Sequence, residues 1–472
     1  MSYLIKILAA GAIAFSPLVI PAVSGSAQAA EQTIQERIFK HRAIEAVIWG
    51  IPLLSYKAYR DALVEAGVGE NDVGYYSKIQ DWKYQTATPN NTTPYITFHW
   101  NIEDGPIVVE IPPATEDVGV FGTLMDAWQR ALDDVGGKGR DGGRGAKYLM
   151  VPKGYTGALL PGAFVYEQRT NNGWGLLRAI IKDTSEESLA KAAEYVRGIK
   201  IYPLAESASP KTEYVDLYGT LLEMTPVLDG GAYAELHAFL QEELVEPGNH
   251  TMMGLLAGIG IKKNEPFEPT PKAQAVFDSA APEALEYMIE QYHRTYSRPV
   301  YPGKKWSTLL PPGGVETGLT YEYPSYFDYD AKGALYYAVI TSAKNFGSAT
   351  YYVGLAEDPD GAWLEGGQNY KLTVPADVPA SDFWAVTAYD LQTASYIREV
   401  EKGSVDSNLA DLQTNTDGSV DVYFGPKAPE GKESNWIPTD PKGRFFLLFR
   451  FYGPKAAAFD GSFELNDMER LE

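Results

Sequence analysis

Two stretches of short strand-like runs, separated by a stretch patterned for helices, restrict this chain of 472 residues to a mixed, mainly β architecture. In the first stretch the clearest runs are residues 95–100, 107–111, 146–151 and 174–181. Gly and Pro punctuate them at the spacing of a sandwich or barrel. Beyond Gly313 the same texture returns. Residues 370–374 and 383–389 read as strands, and 419–424 alternates apolar with polar directly after an Asp417-Gly418 turn. Residues 445–449 are apolar throughout, which predicts burial on both faces.

Helical periodicity marks two other regions. Ile34, Ile38, Ile44, Val47, Ile48 and Ile51 predict a helix over residues 33–66, which Pro52, lacking a backbone N–H, should kink or divide. Residues 183–298 read as mostly helical. Thr184 is the expected N-cap there, Pro282 suits a first turn, and Leu285, Ile289, Tyr292 and Tyr296 line one face. The expected fold is therefore α+β and mainly β: two β-sandwich or barrel-like domains joined by a helical segment, with an N-terminal helix. The expected divisions are a signal peptide at 1–29, the helix plus first β domain at 30–182, the helical segment at 183–312 and the C-terminal β domain at 313–472.

The signal reading rests on Lys6 as the one charge before Glu31, an apolar run broken by Pro17 and Pro21, and the small-x-small pattern Ala27-Gln28-Ala29. The broken run suits a cleaved signal, and no later stretch is long and apolar enough to insert stably in a membrane. A soluble, periplasmic or secreted protein is expected. Its net charge of −22 argues against binding nucleic acid through phosphates and disfavours anionic membrane surfaces. With no cysteine, thiol catalysis, Cys-ligated zinc and iron–sulfur clusters are excluded.

Local motifs give little chemistry. Gly137-Lys138-Gly139-Arg140-Asp141-Gly142 matches a dinucleotide fingerprint in letters only, because no helix is expected after it. The five histidines show no metal-ligand spacing, and no G-x-S-x-G elbow occurs. Nothing names a catalytic residue, a metal or a cofactor, and the oligomeric state is not readable. Two polar-aromatic loops stand out, Asn90 to Tyr95 and Asn435-Trp436-Ile437-Pro438; Asn, Thr and Pro favour turns as readily as ligand contacts. Arg178, Arg398 and Arg450 lie within or beside apolar strands, so each needs either an internal ion pair or an anion.

These segments also carry a family likeness. Thr88-Pro89-Asn90, Gly105-Pro106-Ile107-Val108-Val109-Glu110-Ile111-Pro112, Asp126 with Trp128, and Arg178 after Thr170-Asn171 and Trp174 form one set. Leu364-Glu365-Gly366, Phe383-Trp384, Asp417-Gly418-Ser419, Asn435-Trp436-Ile437-Pro438 and Arg450-Phe451-Tyr452-Gly453-Pro454 form another. Together they resemble the tandem proteins built from the domain-of-unknown-function families 1254 and 1214. Thr92 stands where many relatives carry Asp, which weakens any acidic or metal-binding role at that position. The resemblance implies two β domains with a helical part, often export, and no agreed activity or cofactor.

The function expected is binding of a small polar or aromatic ligand in a cleft between the β domains. The candidate contacts are Asn90, Thr93, Tyr95, Arg178, Trp384, Arg398, Asn435, Trp436 and Arg450. One alternative is a hydrolase or lyase using Asp, Glu, Tyr or His with an Arg to stabilise developing charge. The other is a surface or assembly module.

Overall fold

The computed structural model of the protein describes residues 33–344 and 350–471, so the expected signal at 1–29 lies outside the described residues. The described chain is mixed α/β and mostly sheet, with seven α-helices. None of its sheets closes into a barrel, which removes that alternative.

Helix α1 (Ile34–Glu65) opens with a capping box: Glu36 N donates to the Thr33 hydroxyl at 3.2 Å, and Thr33 N donates to the Glu36 carboxylate at 2.7 Å. It runs unbroken through Pro52, contrary to the expected division. Proline leaves the Ile48 carbonyl without its helical donor. Gly333 packs on that carbonyl so closely that a Cβ there would lie 2.7 Å from it. Every residue from Ala46 to Tyr56 is buried, so the helix is enclosed on all sides. Burying each Ile or Leu of this run stabilises by roughly 1.5–3 kcal/mol.

The other helices are α2 (Glu186–Val196), α3 (Ala232–Glu242), α4 (His250–Ala257), α5 (Pro271–Glu290), α6 (Gly314–Thr317) and α7 (Tyr329–Ala338); of these, α3, α4, α5 and α7 pack against α1. Ser185, not Thr184, caps α2, and Pro271 rather than Pro282 takes the first position of α5 behind the Thr270 cap. Pro282 lies inside α5. The middle segment is less uniformly helical than its sequence suggests, because Lys200–Pro203, Tyr214–Asp216 and Leu222–Glu223 return to sheets of the first half. Conversely, α7 falls inside the stretch read as strands. Its residues from Ala331 onward are all buried, so it carries no amphipathic signature.

In the first half, a six-stranded sheet runs Tyr214–Asp216, Val73–Tyr75, β1 (Tyr95–Asn101), β2 (Asn172–Ile181), Val118–Asp126 and Ala131–Gly136. A four-stranded sheet, Lys200–Pro203, Ile107–Ile111, Ala146–Val151 and Phe164–Glu167, shares its core, with Ile96, Phe98 and Trp100 meeting Val109, Tyr148 and Met150. In the second half, β3 (Thr350–Leu355), β4 (Ala380–Asp390) and β5 (Arg444–Pro454) lie with Ser404–Asp406 and Leu364–Glu365 in one sheet. It closes on a four-stranded sheet around Leu372, Val422, Phe445, Leu447 and Phe449.

Strand parity then decides what faces outward. Along β2, Leu177 and Ala179 enter the first core, while Trp174, Leu176 and Arg178 point the other way. Along β5, Phe445, Leu447, Phe449 and Phe451 fill the second core, and Phe446 and Leu448 join a third core with the helices. Residues 445–449 are thus buried on both faces. The third core, centred on α1, ties the back faces of both large sheets to the helical layer.

Gly173 and Gly175 of β2 let the Trp100 and Phe98 rings lie flat across the strand; a Cβ at Gly173 would sit 2.6 Å from the Trp100 indole, and one at Gly175 would overlap the Phe98 ring. Gly175→Ala is therefore expected to cost about 3 kcal/mol through overpacking. Urea unfolding of the variant checks this, and an unchanged midpoint would show that the ring has room to move.

Candidate functional site

The polar part of the third core is where the two β halves meet. Tyr95 and Arg178 sit directly opposite each other on β1 and β2, with the Arg178 Cζ 5.3 Å from the Tyr95 ring centroid. Across the junction, Tyr352 of β3 is opposite Arg450 of β5. Parity places Tyr452 on the same side as Arg450, and Thr387 and Tyr389 of β4 on the same side as each other. The Arg178 charge acts on the Tyr352 hydroxyl, and Arg450 lies over the same ring at 5.4 Å. The two cations share one phenol.

Arg450 is 3 % exposed and donates to Thr387 Oγ1 at 2.9 Å, to Tyr389 Oη at 2.6 Å and to the Pro89 carbonyl at 3.3 Å. Its Nε–H is buried without a partner among the described residues, and so is the Thr93 hydroxyl. The 88–95 segment crosses from the first half onto this cluster. Asn90 Oδ1 accepts from Thr92 N at 2.8 Å and Thr92 Oγ1 at 2.7 Å, an Asx turn, while Asn90 Nδ2 donates to Tyr452 Oη at 3.1 Å. Phe383 stacks on Tyr452 with centroids 4.0 Å apart. Arg178, Tyr352, Tyr452, Thr92 and Phe383 all keep some exposed surface.

Neither Arg178 nor Arg450 pairs with a carboxylate among the described residues; their partners are phenols, a hydroxyl and a carbonyl. Another buried arginine is paired with carboxylates. Arg130, equally buried, meets Asp126 at 2.7 Å, Glu246 at 2.8 Å and Glu322 at 3.0 Å. The electrostatic consequence at the junction falls on the tyrosines. Burial alone would raise the Tyr352 pKa, but the Arg178 and Arg450 charges hold it below its ordinary value. Burial pushes Tyr452 up, against the pull of Arg450, and takes Tyr389 to about 12. Neighbouring phenols are thereby driven in opposite directions.

Of the candidates read from sequence, Asn90, Thr93, Tyr95, Arg178 and Arg450 come together here. The other four do not. Trp384 belongs to the opposite parity of β4 and stacks on Phe449 in the second core, centroids 5.5 Å apart. Arg398 is exposed and paired with Glu223, 2.7 Å from Nη1 to Oε1. Trp436 donates its indole N–H to the Gly425 carbonyl at 3.0 Å. Asn435 is 1 % exposed and spends its amide on Gln413 N at 2.9 Å, Gln413 O at 2.8 Å and Asp421 O at 2.9 Å. Asn435→Ala is expected to cost about 2–3 kcal/mol by orphaning those buried groups, with no change in ligand response. Equilibrium denaturation separates that outcome from a binding role.

Tyr352, Tyr389, Tyr452 and Phe383 are the residues that sequence reasoning missed. Tyr452 was within reach, because it stands two positions after Arg450 on one strand. Among the described residues no group of three His, Asp or Glu converges as a metal site, and no helix is long and apolar enough to cross a membrane.

A mostly β protein of several sheets, with a cationic, tyrosine-rich junction between its halves, is the class that fold and site define. The chain belongs to the tandem family of the two proteins of unknown function DUF1254, matched over residues 71–203, and DUF1214, matched over residues 349–456. Among solved structures it is similar to the VPA0106 protein from Vibrio parahaemolyticus, at 16% identity over 92% of this chain and 100% of that one, with a TM-score of 0.51. A putative uncharacterized protein from Burkholderia cenocepacia matches at 13% identity over 93% of this chain and 94% of the other, with a TM-score of 0.39. No curated protein matches.

Proposed function

We propose that the protein binds a small organic anion, a carboxylate or comparable oxyanion, at the junction of its two β halves. Arg178 and Arg450 supply the charge, while the Tyr352, Tyr452 and Thr92 hydroxyls and the Asn90 amide surround it. One observation carries the reading: two guanidiniums share Tyr352 and meet no carboxylate among the described residues. Desolvated like charges are costly to hold together, and guanidiniums match carboxylate geometry in a bidentate fork. The stacked rings of Phe383 and Tyr452 suit a planar or aromatic body on the ligand. In this reading each pair of sheets is a β-sandwich domain, the first reaching past residue 182 to take in Lys200–Pro203 and Tyr214–Asp216, the second within 313–472, and the chain is exported after cleavage of residues 1–29.

The test is a thermal-shift titration with small mono- and dicarboxylates at low ionic strength, on wild type and Arg178→Gln. Ligand at a hundredfold excess over Kd raises stability by about 2.7 kcal/mol. A response in wild type that the variant lacks is expected. No response to any carboxylate, or an equal response in both proteins, would count against the site.

A second reading has its own support. Tyr352 is held below its ordinary pKa beside Tyr452, which is pushed up, and such opposed pairs divide the roles of base and acid. An acid–base enzyme acting on the bound anion would then lose turnover in Tyr352→Phe while keeping its affinity.

A further inference from the structure

We infer that a second anion site, suited to a small molecule carrying a phosphate group, lies in a cleft of about 240 Å³ beside the end of α5. It goes beyond the junction reading, since Arg178, Tyr352, Arg450 and Tyr452 take no part in its lining. A π-helical turn, Gln291–Thr295, follows α5 and brings both His293 and Arg294 to the cleft; such turns recur at functional sites. Lys304 and Lys305 close the other side, and Glu357 is the one carboxylate in the lining.

Three cations therefore face one acid, in a chain whose net charge is −22. Glu357 bridges Arg294 at 2.5 Å and Lys305 at 3.3 Å, and Glu290, outside the cleft, reaches Arg294 at 3.1 Å. Lys304 is half-buried and forms no ion pair among the described residues. Arg294 is preset: its Cζ lies 3.9 Å from the Trp363 ring centroid, and it donates to the Gly361 carbonyl at 3.2 Å. His293 is wedged against Phe446 and contacts the Tyr337 hydroxyl at 3.3 Å. Burial holds its pKa down to about 3, so it faces the cleft neutral.

Charge and volume together select the ligand class. The lining is net positive, with Lys304 unpaired among the described residues and Glu290 offsetting part of the Arg294 charge, and so suits a phosphate monoester, which carries about −1.5 to −2 at neutral pH. At about 30 Å³ per water the space corresponds to roughly eight waters, more than a bare phosphate needs and less than a drug-sized molecule fills. A phosphate on a short carbon skeleton fits.

Isothermal titration of the full chain with inorganic phosphate and with glycerol 3-phosphate, at low ionic strength, tests the site. Saturable binding is expected, tighter for the ester. Lys304→Ala should weaken it about tenfold, the loss of one charge-assisted contact, and Lys304→Glu should abolish it. Arg178→Gln should leave it unchanged, which separates failure here from failure of the junction site. If Lys304→Glu does not fold, as judged by near-UV circular dichroism, Ser297→Asp places the opposing charge in the same cleft. Absence of saturable binding of both probes, wild-type affinity in either acidic variant, or loss of binding in Arg178→Gln overturns the proposal.

Discussion

Arg178→Met gives a protein that melts a few degrees higher than wild type and no longer responds to small carboxylates. The two effects share one cause. Arg178 is a crowded cation opposed by burial and by Arg450; what favours its charge in the fold is the ring of Tyr95, Tyr352 and Tyr452, phenols that are neutral at pH 7, and it pairs with no carboxylate among the described residues. Replacing such a charge by an apolar side chain of similar length relieves about 1–3 kcal/mol of cost. It also removes half of the positive charge that an anionic ligand would meet. A structural arginine behaves in the opposite way. If Arg178→Met melts well below wild type, the guanidinium is holding the fold through its phenol contacts and the site reading loses its support.

Lys332→Met is expected to stabilise the protein by about 4 kcal/mol at pH 7, with the gain vanishing near pH 10.5. Lys332 is 1 % exposed, and its side-chain amine has no hydrogen-bond partner among the described residues. Its amine lies 5.4 Å from the Trp128 ring, 5.5 Å from Phe327 and 5.6 Å from Tyr336. Burial, then repulsion from Arg130, bring its pKa from 10.5 down to about 7, against the attraction of Asp126, Glu322 and Glu246. The folded value lies below the unfolded one, so the fold favours the neutral amine. That contribution is complete above pH 10.5, is lost as pH falls toward 7, and changes little below. Methionine carries no such dependence. Denaturant unfolding of both proteins at pH 7 and pH 10.5 gives the comparison. Destabilisation at pH 7 would mean that the ammonium is held charged by the neighbouring carboxylates.

The strands were legible because Gly and Pro mark their ends: Ile107–Ile111 and Ala146–Val151 lie where the runs 107–111 and 146–151 were read. Helix α7 was not legible, since a helix buried all round has no polar face to reveal its period. At the site, Asn90 and Tyr95 could be picked out as parts of a polar-aromatic loop, and Arg178 and Arg450 because charged groups in apolar strands demand partners. Tyr352 and Tyr389 could not, because cross-strand register and the meeting of two sheets are long-range facts without a local sign. Trp384 was assigned to the cleft through the same limit, since motif membership says nothing about which face of β4 a ring occupies. Asn435 looked like Asn90 in sequence, but its amide is spent on the backbone of Gln413 and Asp421 and has nothing left for a ligand.

Anomalous diffraction from crystals soaked in bromide tests the central claim most directly, because it needs no knowledge of the natural ligand. The expected result is an anomalous peak at the junction, within contact of the Arg178 guanidinium and the Tyr352 or Tyr452 hydroxyl, that disappears in Arg178→Met. A junction without a peak while bromide occupies other cationic surface would contradict an anion site between the two β halves.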